Sequence, residues 1–145
     1  MKAISITLGK NEYILALPAA AKFKIDKLCG GSSVVDMTNE DTEDALNITC
    51  SILAIMIEQT ELCRRYMKYE PKEMVGAMEI MEIVQMTMSV GDIRKLKDKM
   101  YDALVLGFGR EINDPDKEID LVLQEIDQKK TAVSKRQNIF SWHHK

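Results

Sequence analysis

Residues 41–69 constrain this chain more than any other stretch, because their middle is apolar nearly all the way round. Ile48, Thr49, Cys50, Ser51, Ile52, Leu53, Ala54, Ile55, Met56 and Ile57 follow one another without a charge. On a helix, Ala45, Ile48, Ile52, Ile55 and Met56 follow the three-to-four spacing of one face, and Leu46, Cys50, Leu53 and Ile57 that of another. Cover on one side alone would leave the other stripe in water. The second stripe calls for another element of the same chain or for a second chain. So much oily surface in a small fold leads to the expectation that companions complete the cover. The acids Glu40, Asp41, Glu43 and Asp44 precede the stripes, and Arg64, Arg65 and Lys68 follow them. Those signs suit the two ends of a helix dipole, so the charges predict a helix from Thr38 or Asn39 to Tyr69, closed off by Pro71.

The elements around this helix follow from shorter patterns. Ile4, Ile6 and Leu8 alternate with Ser5 and Thr7, and Tyr13, Leu15 and Leu17 resume the alternation after Gly9, Lys10 and Asn11. That is a β-hairpin, which is marginal alone in water and must lay its apolar face on helices. Pro18 opens a helix whose apolar face takes in Ala20, Phe23 and Leu28, and Gly30 and Gly31 end it. Residues 32–39 read as a polar connection. Met74, Val75, Met78, Met81 and Val84 mark a helix over 72–88, weakened slightly by Gly76. Ser89 and Asp92 have the spacing of a capping box. Ile93, Leu96, Met100, Leu104 and Phe108 then form the apolar face of a helix that stops near Gly107 or Gly109. Asn113, Asp114 and Pro115 begin a last, acidic helix with a narrow stripe of Ile119, Val122, Leu123 and Ile126, too short to stand alone.

The expected fold is therefore mainly α with a small N-terminal β-hairpin, an α+β chain with four to five helices around a central apolar helix. Its expected divisions are a hairpin and helical core over 1–112, the acidic helix over 113–130 and a flexible tail over 131–145. At 145 residues one domain is expected. A net charge of −3 argues against a general nucleic-acid binder. The dense apolar run is well short of the ~18 residues that span a bilayer, and no leader pattern opens the chain, so export is not expected. Cys29, Cys50 and Cys63 are odd in number and form no close pair, so packing in a reducing cytoplasm is their expected role.

Catalytic constellations are scarce. His143 and His144 end the expected tail, without a scaffold to hold them for catalysis. The glycines form no phosphate-binding loop, and the acids Glu40 to Asp44 lack the order of a calcium loop. Glu58, Glu61, Glu79 and Glu82 could be imagined as a carboxylate cluster, but they lack the Glu-x-x-His pattern that such metal sites use. Lys95, Lys97 and Lys99 alternate along a helix and so share no single face. Neither enzyme activity nor a cofactor, metal or small-molecule substrate is expected. Lys129, Lys130, Lys135, Arg136 and Lys145, with Phe140 and Trp142 among them, make the case for an alternative, a small regulatory module binding nucleic acid through its basic tail.

Ten methionines against three phenylalanines is the unusual feature of the composition. Met74, Met78, Met81, Met86 and Met88 fall within fifteen residues, and Met56, Met67 and Met100 could join them in space. Methionine fills irregular cores and also serves surfaces that bind variable helices. Met56, Met74, Met78, Met81, Met86 and Met88 are accordingly the candidate partner-binding residues.

The opening Ile4-Ser5-Ile6-Thr7-Leu8-Gly9-Lys10-Asn11-Glu12-Tyr13 resembles the I-x-L-G-G-K-E-Y hairpin of tail assembly chaperones of long-tailed bacteriophages and prophages of Gram-positive bacteria. Lys10 stands where that pattern has its second glycine. The run Ile52 to Gln59 is similar to the family's central helix, and residues 92–112, with Leu96, Met100, Ala103 and Leu104, to its last core helix. The acidic run Glu118 to Glu125, followed by Lys129 and Lys130, resembles its C-terminal region. The resemblance implies a cytoplasmic, non-enzymatic chaperone that binds the tape-measure protein and helps recruit tail-tube subunits. It also implies a homo-oligomer that leaves before the virion is complete, with no nucleic acid or membrane as partner. Genes of this family often yield a longer product by frameshifting near the end of the short form.

Overall fold

The computed structural model describes residues 1–121. The order of elements is β1 (Lys2–Leu8), β2 (Asn11–Leu15), α1 (Ala19–Cys29), α2 (Val34–Thr38), α3 (Glu43–Tyr66), α4 (Ala77–Thr87), α5 (Val90–Gly107), a 3-10 turn (Pro115–Lys117) and β3 (Ile119–Asp120). The chain is mainly helical, with a small antiparallel sheet in the order β2-β1-β3, and is thus α+β as expected.

The hairpin forms where the alternation places it. Gly9 takes φ +64 at the first of two loop positions, a conformation that suits glycine in a tight hairpin. Leu8 then faces Asn11, and the register runs back to Ile4 opposite Leu15. Ile4, Ile6, Leu8, Tyr13 and Leu15 are all buried, and β1 packs against α5. Ala16, just beyond β2, donates its N–H to the buried Thr60 Oγ1 at 3.0 Å and so ties the hairpin to α3.

α3 is the central element, but it starts later than its charges suggest. Thr42 is its cap and accepts from the Ala45 N–H at 3.2 Å. The stretch before it is not merely a polar connection. Ser33 caps the five-residue α2, whose Thr38 hydroxyl lies 2.7 Å from the Tyr101 hydroxyl of α5. Glu43 and Asp44 sit in the first turn of α3, as dipole compensation requires. Asp41 instead leaves the helix to pair with Arg94 of α5, with Nε to Oδ2 at 3.0 Å.

The second stripe of α3, Leu46, Cys50, Leu53 and Ile57, is covered by its own chain and so needs no companion, while the first stripe is covered in large part. Ala45, Leu46, Cys50, Ile52, Leu53, Met56 and Ile57 are buried, while Ile48 and Ile55 are half-buried. α1, α2, β2 and α4 all pack against it. The physical reason is topological: the elements before α3 in the chain and the helix after it both return to its surface. At 24 residues α3 is also long and apolar enough to cross a bilayer by composition, contrary to the sequence expectation, but over half of its apolar window is buried within the fold.

The helix expected over 72–88 begins only at Ala77, because residues 67–76 are held in a non-helical strap. Glu61 is the anchor. It accepts from Arg64 Nη1 at 2.8 Å, Arg65 Nε at 2.9 Å and the backbone N–H of Lys72 at 2.8 Å. Arg64 also donates to the Glu70 carbonyl and Arg65 to the Lys72 carbonyl. Backbone groups that a helix would have used internally are thereby taken by side chains of α3.

Two apolar faces are rotated from their expected positions. α1 buries Ala21, Ile25 and Cys29, leaving Ala20, Phe23 and Leu28 exposed. An eleven-residue helix carrying two short apolar stripes does not choose between them by period, and the stripe with small residues lets α1 approach α3 closely. α5 has both halves of its capping box, Ser89 N–H to Asp92 at 3.0 Å and Asp92 N–H to Ser89 at 3.1 Å. It buries Leu96 and Met100 as expected, then Ala103 and Leu106, while Ile93 and Leu104 are half-buried and Phe108 is exposed. Gly107 is no stop signal. A Cβ there would lie 2.4 Å from Leu17 Cβ, so the residue permits the contact that seats the end of α5. Gly109, with φ +81, ends the helix.

In place of the acidic helix expected from Pro115, residues 115–120 form a 3-10 turn and β3, and Leu121 alone of the described residues there is α-helical. Ile119 pairs with Ala3, Asp120 with Lys2, and the Leu121 N–H donates to the Met1 carbonyl at 2.9 Å. A short segment with a narrow stripe gains more by joining an open strand edge, and Leu121 is buried as a result. Residues 119–121 thus lie against the start of β1. The rest of the expected helix and the tail over 131–145 lie outside the described residues.

Candidate partner-binding surface

The six methionines singled out from the sequence divide into three environments. Met56 is wholly buried in α3. Met81 and Met88 are half-buried and pack against the core, Met81 with its sulfur 3.8 Å from Cys50 Sγ. Met74 is half-buried and lines an open groove of about 340 Å³ with Ala54, Ile55, Glu58 and Ala77. Met78 and Met86 point outward from α4 with 89% and 79% of their surface exposed. They lie eight residues apart, so about 12 Å along one helix face. Glu82 sits between them, and Glu58, Glu79 and Glu82 are all exposed. The surface is thus two flexible apolar side chains among carboxylates, beside a shallow apolar groove.

A second apolar groove was not anticipated. Val35, Tyr101, Leu104, Val105, Phe108 and Arg110 line a depression of about 470 Å³ between α2 and α5. Sequence periodicity assigned Leu104 and Phe108 to the core, but the turn of α5 toward Ala103 and Leu106 leaves Phe108 62% exposed. The signal that could have found it is Gly107, whose missing side chain allows that rotation.

The imagined carboxylate cluster does not assemble. Among the described residues no group of three histidine, cysteine or acidic side chains is placed to hold a metal ion. Glu61 is buried while Glu58, Glu79 and Glu82 face solvent. Burial pushes the Glu61 carboxyl up, but the Lys72 N–H, Arg65 and Arg64 outweigh it and hold the group below its ordinary value. Its role is the strap described above. Cys50 is fully buried, and burial pushes its thiol up to about 11, which suits packing and not nucleophilic chemistry. Lys97 turns inward and donates to the Glu40 carbonyl at 2.8 Å, whereas Lys95 and Lys99 line one groove with Lys10. The basic tail residues and both histidines lie outside the described residues.

No family model matches this chain, and neither does a curated protein or a solved structure. Any functional reading must therefore rest on the surface just described and on the resemblance carried by the hairpin and helices.

Proposed function

We propose that this chain is a phage or prophage tail assembly chaperone, which binds the tape-measure protein through the methionine face of α4 and helps recruit tail-tube subunits. The observation that carries the reading is the exposure of Met78 and Met86 on one face, beside the groove at Met74. The fold makes no use of these two side chains. Unbranched thioethers can repack against clients of differing shape, which suits many weak contacts along a long helical protein. The acids around them favour a client helix that carries basic residues. Self-association enters this reading from the resemblance alone, since most of the apolar surface of α3 is covered by its own chain. The protein acts in the host cytoplasm, without a cofactor.

Co-expression with a tape-measure fragment tests it. A soluble complex is expected with the unaltered chain, and Met78→Asp with Met86→Asp should weaken it without unfolding the chaperone. Met81 is unsuitable for the test because an aspartate there would enter the core beside Cys50. Failure of any tape-measure or tail-tube protein to co-purify would sink the assignment. An undiminished complex with both substitutions would move the binding surface elsewhere.

A further inference from the structure

The outer edge of β1 is only partly used by its own chain. In an antiparallel ladder, backbone groups point alternately to the two edges of a strand. Ala3 pairs with Ile119 and the Met1 carbonyl accepts from Leu121, so Ser5 and Thr7 direct their N–H and C=O groups to that same outer edge. β3 ends its pairing at Ala3, and among the described residues no hydrogen bond reaches Ser5 or Thr7 on that side. An edge of this kind is a template for another strand.

The flank of this open edge is cationic. Thr7, Gly9 and Lys10 of the hairpin, Thr87 and Met88 at the end of α4, and Asp92, Lys95, Leu96 and Lys99 of α5 line a groove of about 580 Å³. Its one acid, Asp92, is engaged in the capping box with Ser89. Lys10, Lys95 and Lys99 take part in no ion pair among the described residues. Lys95 and Lys99 are one turn apart, about 6 Å of rise. Alternate side chains on a strand repeat every ~6.8 Å, so carboxylates on one face of an added strand would match that spacing.

The other half of the edge shows the same chemistry in use. β3 comes from an acidic segment, Glu118-Ile119-Asp120, and Glu118 pairs with Lys2 at 2.8 Å. We propose that the turn-proximal half of this edge receives an extended, acidic segment of a partner polypeptide, which pairs with Ser5 and Thr7 and sets its carboxylates against Lys10, Lys95 and Lys99. A nucleic acid could meet the lysines, but it has no alternating donors and acceptors to match a strand edge. This surface is distinct from the exposed methionines of α4, so Met78→Asp leaves it intact and the two readings fail separately.

The probe is a fluorescent peptide of alternating glutamate and threonine, titrated into the full chain and followed by anisotropy. Binding is expected, with slowed amide exchange at Thr7. Lys95→Glu with Lys99→Glu should weaken it about tenfold. The same peptide N-methylated along one edge should not bind. The proposal is overturned if the glutamate peptide does not bind, if the N-methylated peptide binds equally, or if an oligothymidylate of equal charge binds as tightly. It is also overturned if the Thr7 amide is already protected without peptide in a dimer of this chain.

Discussion

α3 and α4 are both rich in apolar side chains and pack on one another, yet they meet solvent differently. α3 carries oily residues on two faces and buries most of both, because β2, α1, α2 and α4 all pack on it. α4 buries Ile80 and Val84 and turns Met78 and Met86 outward. Position in the stack decides this more than composition does. A helix in the middle has most of its apolar surface covered, whereas one at the outside keeps a face free for other uses. The contrast also separates two kinds of methionine, one committed to the core and one available to a partner.

The sharpest way to break the comparison is to cut the strap that joins the two helices. Glu61→Ala removes the buried acceptor shared by Arg64, Arg65 and the Lys72 N–H and should cost about 3 kcal/mol in urea unfolding. The pH dependence supplies a second reading. The folded-state pKa of Glu61 lies below its unfolded value, so its contribution is complete above an unfolded pKa of about 4.3 and is lost as pH falls through the folded value. The variant should therefore lose less stability than the parent between neutral and acid conditions. An unchanged acid response would show that the strap does not depend on this carboxylate.

A paired truncation compares the two environments directly. Met56→Ala in α3 should destabilise by about 3 kcal/mol, through lost contacts and the cavity left behind. Met78→Ala in α4 should stay within about 0.5 kcal/mol of the parent. Equal costs would mean that Met78 is not free of the fold, and the surface reading would have to be withdrawn.

The smallest effect concerns how α3 ends. Lys68 takes φ +69 and, with the Tyr69 N–H bonded to the Arg64 carbonyl, makes the turn that Gly109 makes after α5. A left-handed conformation is strained for lysine and easy for glycine. Lys68→Gly should therefore raise stability by about 1 kcal/mol, measured by the same unfolding curves. A loss instead would assign the Lys68 side chain a contact that outweighs the strain.

Much of the architecture was legible because it rests on local rules. Alternation from Ile4 to Leu8 specified a strand, Ser89 and Asp92 a helix start, and the apolar run through Cys50 a central helix. The candidate surface was legible only as a cluster of methionines. Period and composition placed Met74, Met78, Met81, Met86 and Met88 near one another but could not separate the exposed pair from the packed ones. Faces were misread on α1 and α5 for a related reason. Where two stripes compete, as Phe23 and Leu28 do with Ile25 and Cys29, the sequence holds both answers, and only the neighbours choose.

By itself, then, the chain determined the hairpin, the capped start of α5 and that α3 must lie at the centre, since hydrogen bonding and side-chain period act within a few residues. Tertiary structure alone decided what covers α3, how the end of α5 turns at Gly107, and why residues 119–120 become a strand. It also fixed which lysines share a groove. Those outcomes depend on surfaces brought together from distant positions, where burial and pairing across elements outweigh the preferences of any one segment.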